Sequence, residues 1–160
     1  MTYDNKKLRN ISANAPYDQI YVLVNSDKYG GGAIYNHYSM SVTKSKHFEF
    51  IVTHEFGHGF ASLGDEYYTS DVAYNDFYST DVEPADPNVT TLVDFDSKWK
   101  DMIEEGTPVP TPDTEEYADK VGVFEGGGYV EKGVYRPFTD CTMKSITIDN
   151  FCPVCKRAIQ

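Results

Sequence analysis

Long apolar runs and basic residues are both scarce in this sequence. No stretch approaches the roughly 18 consecutive apolar residues that a membrane-spanning helix needs, and no apolar signal segment follows Met1 to Leu8. The 14 Lys and Arg residues are outnumbered by 25 Asp and Glu, so the formal net charge is −11. Nucleic acids and anionic membranes are bound through basic patches, which this composition disfavours. We therefore expect a soluble chain that binds neither, and export would depend on sequence outside it.

Cysteine is also scarce, and the three cysteines leave an odd one: Cys141, Cys152 and Cys155. A redox pair in Cys152-Pro153-Val154-Cys155 is disfavoured because this motif opens a short C-terminal segment rather than the helix of a thioredoxin-like unit. A four-thiolate zinc site would need a ligand that the chain lacks. Two alternatives stay open: a disulfide from Cys141 to Cys152 or Cys155, or three buried thiols.

Two of the four histidines fall in one motif, His54-Glu55-Phe56-Gly57-His58. Residues four apart lie on one face of an α-helix, so His54 and His58 can offer two imidazole nitrogens to one zinc ion. Glu55 then lies where a general base is needed to take a proton from a metal-activated water. The motif predicts a zinc hydrolase.

The context of the motif predicts an active-site helix over residues 46–63. At roughly 100° of rotation per residue, one face of this helix collects Val52, Phe56, Phe60 and Leu63, and the histidines lie on the other face. We expect the apolar face to pack into the core while the opposite face holds the metal.

A third ligand is expected just after this helix. A catalytic zinc takes three protein ligands and keeps one position open. Gly64 can end the helix with a sharp turn, and Asp65 then supplies a hard oxygen ligand. Glu66 is the alternative third ligand, or else its carboxylate holds a ligand histidine in position by a hydrogen bond. Asp65 is the predicted third ligand.

A tight turn with a methionine is predicted at Asp140-Cys141-Thr142-Met143-Lys144. Its position, after the zinc helix and before a final helix, resembles the methionine turn beneath the metal of metzincin peptidases. Met143 is the residue assigned to this turn.

The remaining pattern predicts an α+β fold of the zincin or metzincin type, with a small mixed sheet, the active-site helix, the Met-turn and a C-terminal helix. One catalytic domain is expected over residues 1–160, with residues 1–17 loosely ordered. The predicted strands cover residues 19–24, 30–36 and 38–42. Short helices are predicted at 96–105 and at 150–160, the last capped near Asp149 or Asn150.

The acidic, proline-rich stretch 68–118 is expected to wall the cleft as a long loop. A structural calcium held by its aspartates is a further candidate, but no ligand loop of recognised spacing supports it. His37 and His47 have no ligand spacing and are expected at the surface.

Segments along most of residues 20–160, in order, resemble the immunoglobulin A peptidase family of bacterial zinc metallopeptidases. The resemblance is carried by Leu23-Val24-Asn25-Ser26 with Tyr29-Gly30-Gly31-Gly32, by His54 through His58 with Asp65-Glu66-Tyr67, by Trp99-Lys100 and Pro108 through Pro112, by Glu125-Gly126 with Gly133 through Pro137, by Cys141-Thr142-Met143 and by Phe151-Cys152-Pro153-Val154-Cys155.

This resemblance implies a secreted or cell-surface zinc endopeptidase with metal on His54, His58 and Asp65 and with Glu55 as catalytic base. The partner that it implies is a protein or peptide substrate, with an immunoglobulin as one candidate. Because family members are generally larger, the chain is expected to be a minimal catalytic domain or a fragment of a longer protein.

The sequence also offers candidates for substrate-binding residues and for the donor to the oxyanion. The glycine-opened strand, with Gly31, Gly32, Ala33 and Ile34, is predicted to accept an extended substrate at a sheet edge, although an ordinary turn-strand junction fits it equally. Glycines 126–128 are candidates for the opposite wall. Tyr135 is the predicted oxyanion donor, with Tyr67 or Tyr129 as alternatives.

Two other functions remain open at this stage: a zinc amidase acting on non-protein substrates, and a non-catalytic, zinc-stabilised binding module. Glu55 argues against the second, because a purely structural zinc site needs no general base and is usually closed by a fourth ligand.

Overall fold

The computed structural model describes residues 1–68 and 77–160, which divide into two units, Met1–Ala61 and Ser62–Gln160. In the first unit, the segment expected to be loosely ordered contains helix α1, Asn5–Ser12. The side chain of Asp4 caps this helix by accepting from Lys7 N at 3.0 Å, and none of its residues is buried.

The first unit contains a three-stranded mixed sheet, as predicted. Its strands are β1 (Tyr21–Val24), β2 (Gly31–Ile34) and β3 (Tyr38–Val42), in the order β1-β3-β2. Strand β1 runs parallel to β3, and β2 runs antiparallel to it. The central strand is buried on both faces, and its serines are hydrogen-bonded: Ser39 Oγ donates to Glu55 O at 2.8 Å, and Ser41 Oγ lies 2.8 Å from Tyr21 Oη.

Helix α2, Phe48–Ala61, is the predicted active-site helix. It begins slightly later and ends slightly earlier than the predicted range 46–63. The face that packs against the sheet is not the predicted one. Ile51, Glu55 and Gly59, four residues apart, approach β2 and β3. Of the predicted apolar residues, Leu63 is buried but lies beyond the end of the helix, whereas Phe60 is 40% exposed and stacks on Phe56 with ring centroids 4.9 Å apart. The apolar pattern predicted the wrong face because the helix comes close to the sheet at Gly59, which has no side chain and so does not contribute to such a pattern.

The second unit contains a β-hairpin that the sequence analysis did not predict. Strands β4 (Phe124–Gly127) and β5 (Val130–Arg136) are antiparallel, and the turn between them passes through Gly128 at φ 56° and Tyr129 at φ 66°. A tyrosine at positive φ is uncommon, so the turn was hard to recognise. One apolar cluster of this unit joins β5 to the preceding loop through Val89, Val130, Val134 and the partly buried Tyr78.

The helix predicted at 96–105 is wrong: two 3-10 turns, Phe95–Ser97 and Lys100–Met102, occupy this stretch. A helix this short has little stability of its own. Burial of Trp99, whose indole Nε1 donates to Gly122 O at 2.7 Å, sets the local backbone instead. Residues 69–76 of the predicted loop 68–118 lie outside the described residues.

The C-terminal helix α3 spans Pro153–Ile159, so the cap predicted at Asp149 or Asn150 is wrong. Proline is tolerated in the first turn of a helix, and it favours an extended conformation for the residue that precedes it. The helix therefore starts at Pro153. Cys152 is the cap, and its sulfur accepts from Cys155 N at 3.5 Å. None of the described helices is long and apolar enough to cross a bilayer.

Gly59→Ala tests the helix-sheet contact. An added Cβ would overlap Ser39 Oγ, whereas at Gly30 it would meet nothing within 4 Å. Alanine favours a helix by about 1 kcal/mol, but overpacking costs about 1–3 kcal/mol. We expect Gly59→Ala to lower the free energy of unfolding and Gly30→Ala to leave it nearly unchanged, as measured by urea denaturation. A stabilised Gly59→Ala variant would contradict the packing described here.

Candidate functional site

The two motif histidines lie side by side on helix α2. His54 Nε2 and His58 Nε2 are 3.0 Å apart, and the ring centroids are separated by 4.6 Å. His54 is 8% exposed and packs near the ring of Phe50, while His58 is half-buried. Two ligands at about 2.05 Å from a tetrahedral zinc lie about 3.3 Å apart. The imidazole pair therefore fits two positions of one metal ion.

Glu55 lies on the neighbouring face of the same helix, against the start of β2. A Cβ built on Gly31 would lie 2.5 Å from Glu55 Oε1 and 2.7 Å from Ile51 Cγ2. Only glycine therefore lets the carboxyl group lie directly over this strand. Strand β2 is at the edge of its sheet, as predicted, since β3 pairs with one side of it. The arrangement brings a carboxyl group close to an exposed strand edge.

The charge of Glu55 acts on two nearby tyrosines. Burial raises the pKa of Tyr21 to about 12, the hydrogen bond with Ser41 opposes this, and Glu55 adds to it. Burial and Glu55 also raise the pKa of Tyr29. Both phenols therefore stay protonated at neutral pH.

In the second unit, Asp65 is 8% exposed and receives a hydrogen bond on Oδ2 from the phenol of Tyr129. Its carbonyl oxygen accepts from Gly128 N at 2.8 Å. Burial and the charge of Asp65 raise the pKa of Tyr129, which keeps the phenol a donor. The turn of the β4–β5 hairpin thus orients Asp65. From the sequence, Tyr129 was a candidate only for oxyanion binding, because its spacing of 64 residues from Asp65 gives no local signal of their contact.

Glu66 is fully buried and faces three cysteines of its own unit. Its Oε1 accepts from Asn88 Nδ2 at 2.8 Å and from Cys155 Sγ at 3.3 Å. Burial raises the pKa of this carboxyl group well above its usual value, while Asn88 and Cys155 oppose the shift. Asn88 was missed by sequence reasoning because an isolated asparagine in a loop carries no motif.

The three cysteines are buried thiols, so the disulfide alternative is wrong. Cys141 Sγ and Cys155 Sγ are 3.8 Å apart, well beyond the roughly 2.05 Å of a disulfide bond. The tight turn predicted around Met143 is present, because Lys144 N and Ser145 N both donate to Cys141 O, at 2.8 and 2.9 Å. Met143 is fully buried, and its place beneath a metal stays a prediction.

Tyr135 lies in β5, where its backbone exchanges two hydrogen bonds with Thr90, at 2.8 and 3.1 Å. Its side chain is half-buried. Tyr67 Oη donates to Tyr129 Oη at 3.4 Å, so these two alternatives belong to one phenol chain that ends on Asp65. The oxyanion role of Tyr135 stays a prediction.

A family model described as IgA Peptidase M64 matches residues 1–117 and 113–160, which together cover the chain. No curated protein matches the sequence at a significant level.

Gly31→Ala tests the placement of Glu55. The added methyl group would force the carboxyl group of Glu55 away from β2, because Oε1 would lie 2.5 Å from it. We expect lower peptidase activity with the two histidines undisturbed, measured on a casein substrate and by the imidazole resonances in NMR spectra. Gly30→Ala is the matched control, since its Cβ would meet nothing within 4 Å. Equal activity in the two variants would contradict this geometry.

Proposed function

Because the chain belongs to the IgA peptidase M64 family, and is on that ground a peptidase, we propose that it is a zinc-dependent endopeptidase that hydrolyses peptide bonds of protein substrates. The observation that carries the proposal is the imidazole pair, His54 Nε2 and His58 Nε2 at 3.0 Å, with Glu55 on the same helix. Neutral imidazoles are preferred zinc ligands, so the donor chemistry suits this metal.

Asp65 is the third ligand in this proposal. A carboxylate oxygen beside two imidazoles matches a catalytic zinc site with one open position. The contacts of Glu66 support the choice, because its Oε1 is already engaged by Asn88 and Cys155. The phenol of Tyr129, which donates to Asp65 Oδ2, would fix the orientation of the ligand carboxylate.

Glu55 acts as the general base and then as the general acid. When bound, zinc would polarise the scissile carbonyl and make water more acidic. Glu55 takes a proton from the attacking water and passes it to the nitrogen of the leaving amine, so the carboxylate is regenerated at the end of the cycle. A glutamate can make both transfers only if it lies close to the scissile bond.

Strand β2 would hold the substrate next to Glu55. Peptides bind exposed sheet edges as an added strand through backbone hydrogen bonds. Gly31 and Gly32 open the strand, and Ala33 and Ile34 continue it past the helix. An extended peptide along this edge would bring successive peptide bonds past the carboxyl group that lies over Gly31. Such recognition through the backbone suits an endopeptidase, which must bind chain on both sides of the cut.

The oxyanion donor we assign is Tyr135. Tyr129 is committed to Asp65, and Tyr67 donates to Tyr129, so both alternatives already serve the ligand carboxylate. A phenol donor near the scissile carbonyl would stabilise the charge that develops on its oxygen.

Glu55→Gln tests the base. The amide keeps the size of the side chain but cannot take a proton, so we expect turnover to fall by about 10²–10⁴-fold. Zinc content, measured by mass spectrometry of the purified protein, should stay unchanged. Glu49→Gln is the control, because Glu49 is an exposed acid in the first turn of the same helix. Normal turnover in Glu55→Gln would exclude the proposed mechanism.

Asp65→Asn tests the third ligand. We expect the zinc concentration that restores half of the activity to the metal-free enzyme to rise by at least about tenfold, since a ligand charge is lost. Tyr129→Phe should shift it in the same direction by less, because only the orienting donor is removed. The exposed Asp119→Asn serves as control. The assignment fails if Asp65→Asn and Asp119→Asn show the same zinc dependence.

A further inference from the structure

Four buried side chains of the second unit converge on one point: Glu66, Cys141, Cys152 and Cys155. We propose that they form a structural metal site of their own, with zinc as its ion, separate from the histidine pair. The site would use three thiolates and one carboxylate oxygen. This inference stands on the geometry of the second unit and does not rest on the peptidase mechanism.

The ligand atoms have the spacing of a tetrahedral zinc site. All four lie within 4.8 Å of one another. At about 2.3 Å for zinc-sulfur and about 2.1 Å for zinc-oxygen bonds, two sulfurs lie about 3.8 Å apart and a sulfur and an oxygen about 3.6 Å apart. Cys141 Sγ and Cys155 Sγ are separated by 3.8 Å, and Cys155 Sγ and Glu66 Oε1 by 3.3 Å.

Surrounding donors are arranged as they would be around thiolates. Cys152 N donates to Cys141 Sγ at 3.2 Å, and Cys155 N donates to Cys152 Sγ at 3.5 Å. Amide donors on sulfur favour its charged form, which is the form that binds metal. Two of the four ligands are therefore already held in place by backbone groups.

Glu66 is oriented from behind by Asn88. The Asn88 amide donates to Glu66 Oε1 at 2.8 Å and to Gly64 O at 2.9 Å, while its own Oδ1 accepts from Gly64 N at 2.7 Å. Such outer contacts are typical of carboxylate ligands. Glu66 Oε2 is buried and has no hydrogen-bond partner among residues 1–68 and 77–160. Buried polar atoms rarely lack a hydrogen-bond partner. A cation beside the carboxylate would offset the cost of burying this oxygen.

The donor set indicates which ion fits and what it does. Thiolates select zinc over magnesium or calcium, which prefer oxygen. Four protein ligands close the coordination sphere, which is typical of structural rather than catalytic zinc. Binding would release the thiol protons to solvent and would stabilise the folded unit, because the unfolded chain holds no such site.

The site would connect three segments of the second unit. Cys141 opens the turn that contains Met143, and Glu66 follows Asp65 directly. Cys152 caps helix α3, and Cys155 lies in its first turn. Glu66 N also donates to Met143 O at 2.8 Å. An ion here would therefore fix the backbone at Asp65 as well as the C-terminal helix.

A variant without the histidine pair isolates the proposed site. The double variant His54→Ala, His58→Ala, refolded with Zn²⁺ and freed of loose metal by gel filtration, should keep one zinc per chain. A mercurial thiol reagent should release that zinc in proportion to the thiols it blocks, as read with a metallochromic dye. Refolding with Co²⁺ instead should give the intense near-ultraviolet sulfur-to-cobalt band. This variant lacks the proposed catalytic ligands, so its result is independent of the peptidase proposal.

Substitution of Glu66 separates coordination from packing. Glu66→Gln keeps the shape of the side chain and the contact with Asn88 but removes the charge, and we expect at least about a tenfold loss of zinc affinity in the double variant. Glu105→Gln, at an exposed acid of the same unit, should cause no loss. Absence of retained zinc in the double variant, a cobalt spectrum without the sulfur band, or a disulfide found by mass spectrometry would each overturn the proposal.

Discussion

The close approach of helix α2 to strands β2 and β3 is the constraint on which the candidate site depends. Gly59 lets the helix backbone come near Ser39, whose hydroxyl group donates to Glu55 O at 2.8 Å. Gly31 leaves room for the carboxyl group of Glu55 over the strand. Once the helix is fixed in this way, its regular geometry places the imidazoles of His54 and His58 side by side. These two glycines therefore shape the candidate site through close packing, because neither position has room for a side chain.

In the second unit, a different kind of interaction orders the residues next to the motif. Asp65 and Glu66 are adjacent, yet their carboxyl groups have separate partners: the phenol of Tyr129 for one, and Asn88 with Cys155 for the other. Each of the two buried acids is therefore held by contacts of its own. These separate contacts support the two proposals, in which Asp65 is the third ligand of the histidine pair and Glu66 is a ligand together with the cysteines.

How far the sequence predicted the site follows from the range of each interaction. The common helix of His54, Glu55 and His58 and the contact between the two imidazoles could be predicted, because the four-residue spacing is a local property of a helix. The partners of Glu66 could not, since Asn88 is 22 residues away and Cys155 is 89 residues away. The three cysteines were judged one ligand short of a zinc site because the fourth donor is a carboxylate.

The same distinction applies to the fold. The three strands of the mixed sheet were predicted from local alternation and glycine signals, and the family resemblance is confirmed. The buried face of α2 was predicted incorrectly, because amphipathic patterns score large side chains and cannot recognise a contact made by glycine. The β4–β5 hairpin was missed because its turn has Tyr129 at positive φ, a conformation that is not expected of a tyrosine from the sequence. Tertiary contacts decide such elements.

The most direct test of the central claim is a crystal of the zinc-loaded protein measured at the zinc absorption edge. The account predicts an anomalous peak within bonding distance of both His54 Nε2 and His58 Nε2, with a carboxylate oxygen of Asp65 as a further ligand. A map without any peak at the imidazole pair, from protein that was refolded with zinc, would contradict it.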